Sequence, residues 1–120
     1  MPQSVPAPIK APVSRLEVDR IDIRTGTIES LTDVAGSEKL VELRVSFGDH
    51  TRQVLVGMKQ ERMDPREVVG RQALFIVNLP PRHMAGRVSE AMLFDIGHAD
   101  GVVPVLAVPE RPVPDGTRAG

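Results

Sequence analysis

The chain has 120 residues with a formal net charge of -1 and a sequence pI near 6.3; that is enough for one hydrophobic core and too little for two. Such a balance exerts no bulk pull on polyanions, so any nucleic-acid contact has to come from a local basic patch. The absence of cysteine excludes a disulfide framework and thiolate metal sites, and Phe47, Phe75 and Phe94 are too few aromatics for the serial base stacking of a general single-strand coat protein.

Residues 1–14 carry Pro2, Pro6, Pro8 and Pro12 among small side chains, a composition that cannot bury enough apolar surface to order itself. This segment reads as a flexible arm, and the folded domain is expected over residues 15–120. No apolar run approaches the length of a bilayer crossing, and the N-terminus lacks the basic-then-apolar order of a secretory signal, so the expected location is the cytoplasm.

From Ile21 to Leu31 the apolar residues alternate through Ile21, Ile23 and Thr25. The phase then changes so that Ile28 has the other parity, which predicts a first strand bulged at Gly26. Residues 40–47 set Val41, Leu43, Val45 and Phe47 against Glu42, Arg44 and Ser46, the pattern of a half-buried strand. Gly48-Asp49-His50 turns the chain, and residues 52–58 read as the returning strand of a hairpin. Asp64, Pro65, Glu67 and Gly70 punctuate one short helix as cap, first helical residue, capping-box partner and stop. Residues 73–77 (ALFIV) are apolar on both parities, as in a strand covered on both faces or lying at an interface. Residues 89–94 and 102–108 supply further strands, with Pro104 suited to an edge or bulge, and the tail beyond Pro109 is expected to be extended. The sum is an all-β fold: a five-stranded Greek-key OB-fold barrel with one short helix between the third and fourth strands and short extensions.

No catalytic constellation emerges. His50, His83 and His98 are dispersed, and Ser89 and Glu90, as strand neighbours, point to opposite faces and cannot form a nucleophile–base dyad. No enzyme activity, cofactor or metal is expected. The stretch from Val77 to Leu93 is the informative one. Asn78 ends an apolar strand, Pro80-Pro81 stiffens the exit, and Arg82, His83 and Arg87 crowd donors into one loop. On residue chemistry alone this is either a solvated loop whose amide caps a strand end or a place to read a phosphate or a base edge. Met84 and Met92 are core fillers by default, or thioethers flanking an inserted base or apolar side chain.

The segments IDIRTGTI (21–28), Lys39-Leu40, Phe47-Gly48, NLPP (78–81) and SEAML (89–93) resemble, in order, the successive motifs of the tRNA-binding domain family. That family includes the C-terminal appendix of methionyl-tRNA synthetases, free-standing tRNA-binding proteins and the export-related chaperone CsaA. The resemblance implies an OB-fold that binds structured RNA, tRNA foremost, as a homodimer. It also implies a binding surface of Lys39, Asn78, Arg82, Ser89, Glu90 and Met92. In that reading Lys39 and Arg82 neutralise phosphate, Asn78 and Ser89 offer hydrogen bonds, Met92 packs on a base, and Glu90 orients neighbours or accepts from a base amino group. The alternative carried by the same resemblance is a chaperone for protein secretion, whose pocket takes an apolar side chain of an unfolded precursor. Two departures stand out: Asp33-Val34-Ala35-Gly36 replaces the usual His-Pro region, and Ala91 stands where glycine is common.

Overall fold

In the computed structural model, which describes residues 5–120, the arm stays exposed as far as a one-turn helix, α1 (Arg15–Asp19). The expected arm lies partly outside the described residues. Ser14 caps α1: its Oγ accepts from Glu17 N–H at 3.1 Å, and the Glu17 carboxylate accepts from Ser14 N–H at 3.0 Å. The capping box is therefore here and not at Asp64. A single turn with no buried residue has too little periodicity to be read from sequence.

The barrel follows as β1 (Ile23–Asp33), β2 (Val41–Ser46), β3 (Thr51–Val56), a 3-10 turn (Pro65–Val68) and β4 (Gln72–Ile76). A small hairpin, β5 (Arg82–Met84) and β6 (Arg87–Ser89), leads to β7 (Met92–Leu93). A second, β8 (Asp95–Ile96) and β9 (Val105–Leu106), precedes β10 (Arg118–Ala119). The main sheet runs β3-β2-β1-β4-β7, with β10 added against β1, and every pairing is antiparallel. It forms a nearly closed, OB-fold-like barrel of five strands.

β1 carries the curvature because it changes partners along its length. Ile23 to Thr27 pair with β4, and Thr27 to Asp33 pair with β2. The bulge lies between Ile28 and Ser30 and not at Gly26. Gly26 serves another purpose: a Cβ there would sit 2.6 Å from Val45 Cγ1 and 2.8 Å from the Phe47 ring, so its bare backbone makes room for core side chains. The tail is extended, as expected, and also paired, since Thr25 N–H donates to Thr117 O at 2.9 Å and Gly116 N–H to Thr25 O at 2.8 Å.

β2 follows its alternation: Val41, Leu43 and Val45 are fully buried and Phe47 nearly so. They meet Ile28, Val54, Phe75 and Leu93 in one core, where burial of a side chain such as Phe75 contributes roughly 1.5–3 kcal/mol. The expected short helix is a 3-10 turn capped by the Asp64 side chain, and its buried Val68 belongs to the same core. In β4, Ala73, Phe75 and Ile76 are buried, as is Val77 just beyond it, and the backbone of Leu74 is bonded to Ala107 and Phe94 of the same chain.

Closure of the barrel between β3 and the 89–91 segment depends on side chains. Leu55 N–H donates to Ser89 Oγ at 3.0 Å, and Ser89 Oγ donates to Ala91 O at 3.0 Å. Gln53 N–H donates to Glu90 Oε1 at 3.0 Å, and Glu90 N–H donates to Gln53 O at 2.8 Å. Ser89→Ala should strand the buried Leu55 N–H and cost on the order of 2 kcal/mol. Urea unfolding measures it, and an unchanged midpoint would contradict a closure made by this hydroxyl.

Candidate functional site

After Val77 the chain leaves the barrel and returns at Glu90, and the excursion roofs a cavity of about 360 Å³. Its lining is Leu55, Leu79, Pro80, Pro81, Arg82, Met84, Ser89, Ala91 and Met92. The Pro pair holds one limb extended. The β5–β6 hairpin forms the rim, turning through Ala85 and Gly86, both at positive φ.

Of the six residues inferred from sequence, Arg82, Ser89 and Met92 line this cavity. Arg82 is exposed on β5, and Met92 is 44% exposed where β7 pairs with Ile76. Ser89 is buried, and its hydroxyl is engaged at the closure in both directions. Glu90 is exposed but gives one carboxylate oxygen to the same closure. Asn78 lies just outside the lining, in the adjoining groove. Its Oδ1 accepts from Asp22 N–H at 2.9 Å and its Nδ2 donates to Arg20 O at 2.6 Å, which prolongs the β1–β4 ladder by a side chain. Lys39 stands in the β1–β2 loop and does not line the cavity; its carbonyl accepts from Lys59 N–H.

The cavity is thus apolar with one cationic wall. Arg87 pairs with Glu42 at 3.1 Å, which leaves Arg82 as the cation the hairpin presents to solvent, beside the exposed His83 ring. Leu55 and Leu79 were not singled out from sequence. The available signal was Val54-Leu55-Val56, apolar on both parities, the pattern of a strand covered on both faces. Among the described residues no aromatic ring lines the cavity, and Phe47 and Phe75 are in the core. Among the described residues no cluster of His, Asp and Glu could hold a metal, and no helix is long and apolar enough to cross a membrane.

Beside the Asn78 clasp, Asp22 holds Arg24 at 2.9 and 3.1 Å and Arg118 of β10 at 3.4 Å. The hydrogen bond from Arg24, with Arg118 behind it, holds the Asp22 carboxyl below its ordinary value, against the opposing effect of partial burial.

Residues 23–118 match the family described as "Putative tRNA binding domain". A methionine--tRNA ligase of Bacteroides fragilis is 36% identical over 110 residues, which cover 92% of this chain and 16% of that protein. The corresponding ligase of Methanopyrus kandleri is 38% identical over 85 residues, 71% of this chain and 13% of the ligase. The chain therefore spans about a sixth or less of the length of these relatives. Among solved structures, a MetRS-related protein from Pyrococcus horikoshii superposes with a TM-score of 0.84 at 26% identity, covering 92% of this chain and all of that one. Chaperone CsaA from Bacillus anthracis gives 0.79 at 25% identity with the same coverage.

A carboxyl whose folded pKa is depressed contributes stability above its unfolded value of about 3.9, and that contribution fades as pH falls through the folded value. Asp22→Asn should therefore lower the thermal midpoint at neutral pH, and the gap to wild type should close as pH falls below about 4. A gap independent of pH would contradict the ion-pair reading.

Proposed function

Since the chain belongs to the tRNA-binding domain family, we propose that it is a non-catalytic module that binds structured RNA, tRNA foremost, as a homodimer. The observation that carries this reading is the apolar cavity beneath Arg82. It has room for one flat ring or one branched side chain, with a cation at its wall for the adjoining phosphate. Ser89, Glu90 and Asn78 act by holding the frame, because their polar groups are engaged with the barrel. Arg82 neutralises phosphate, Met92 packs on the inserted base, and Lys39 adds charge from the neighbouring loop.

Homodimerisation is supported by the groove beside α1, about 470 Å³ and lined by Val13, Val18, Ile21, Ile76 and Leu79 among others. Val13, Val18, Ile21 and Leu79 are each more than 40% exposed there, the kind of apolar surface a second copy removes from water.

A second reading has its own support. The likeness to chaperone CsaA and the apolar character of the cavity suit an extended segment of an unfolded precursor protein.

Salt separates the two ligands. With labelled tRNA, log K should fall with log salt at about -0.7 to -0.9 per phosphate neutralised, and Arg82→Ala should flatten the slope by about one unit. Salt-insensitive peptide binding without tRNA binding would favour the chaperone. Light scattering across a size-exclusion peak should give twice 13.1 kDa, and a monomer mass at micromolar concentration would remove the dimer.

A further inference from the structure

On the barrel side of the cavity stands a guanidinium that belongs neither to the family motifs quoted above nor to the cavity lining. Arg52, half-buried on β3, donates from Nη1 to Val77 O at 2.7 Å and to Glu90 O at 3.0 Å. These two carbonyls mark where the 78–89 excursion leaves β4 and where it returns. The outbound limb carries Leu79 to Arg82, and the inbound limb leads to Ala91 and Met92. One nitrogen therefore spans the mouth of the excursion.

Arg52 is itself oriented. Its Nε donates to His50 Nε2 at 3.0 Å, while His50 Nδ1 lies 2.6 Å from Asp49 Oδ1. An Nε2 that accepts must leave the ring proton on Nδ1, which donates its hydrogen bond to the Asp49 carboxylate. The His50 ring stacks on Phe47 with centroids 5.6 Å apart, and Phe47 packs edge-on against Phe75. The plane of the guanidinium is thus referred back to the core.

We propose that Arg52 is the positioning residue of the binding cavity, setting the separation of its two limbs through Val77 and Glu90, with His50 fixing its plane. The role suits arginine because Nε and Nη1 donate from one rigid plane to acceptors on three segments, whereas lysine offers a single nitrogen on a flexible stem. The inference rests on the cavity being the ligand site proposed above.

The test uses the full chain with Arg52→Gln, His50→Leu and His50→Gln, measuring hydrogen exchange without ligand and affinity for labelled tRNA. In Arg52→Gln the amides of residues 79–91 should exchange about tenfold faster while those of β1 and β2 keep their protection, and tRNA affinity should fall at least about fivefold. His50→Leu, which removes the acceptor, should show part of the same effect, and His50→Gln, which restores one, should stay near wild type. Unchanged exchange over residues 79–91 in Arg52→Gln, or acceleration shared equally with β1 and β2, overturns the proposal. Failure of the wild type to bind tRNA overturns the functional reading instead, and the exchange data then decide the clasp alone.

Discussion

Two N–H groups on the open edge of β3, those of Gln53 and Leu55, face a segment too irregular to be a full strand. Their acceptors are the Glu90 carboxylate and the Ser89 hydroxyl. Left unpaired, the buried Leu55 amide would cost about 1–3 kcal/mol, a large share of the roughly 5–15 kcal/mol that stabilises a small domain. The side-chain closure therefore lets the chain depart from regular pairing between β4 and β7, and that departure forms the cavity. A fully regular ladder would leave no space between the Leu79–Arg82 limb and Met92.

The same arrangement explains what was legible in the sequence. β2 and its hairpin were legible because their information is local: Val41, Leu43, Val45 and Phe47 repeat with period two, and Gly48 turns the chain at positive φ. The segment that forms the cavity was legible as a motif. The partners of its polar groups were not, because Ser89 meets Leu55 across 34 residues and Asn78 meets Asp22 across 56. Residue chemistry says that a hydroxyl or an amide will find a partner, but only the barrel decides which. The phase change in β1 was visible, but its place was not. Gly26 is explained by Val45 and Phe47, residues of the neighbouring chain segment, and the bulge falls beside Ile28. α1 escaped notice for the opposite reason, being too short to show a period although Ser14 and Glu17 cap it.

With the hydroxyl and amide engaged, the cavity offers an occupant only shape, apolar contact and the charge of Arg82. Leucine, methionine and proline side chains line it, and among the described residues no aromatic ring does. Such a surface is tolerant of base identity and equally receptive to an aliphatic side chain. On the proposed reading an RNA base and a peptide side chain would compete for one place, and a phosphate contact at Arg82 would separate them.

Methionine methyl resonances test the central claim most directly, because the chain places its methionines in distinct environments. Met84 and Met92 line the cavity, Met58 is in the core and Met63 is fully exposed elsewhere. On titration with tRNA, the account predicts that the Met84 and Met92 methyls shift together while Met58 and Met63 stay in place. Binding that moves Met63 and leaves Met84 and Met92 unperturbed would contradict it.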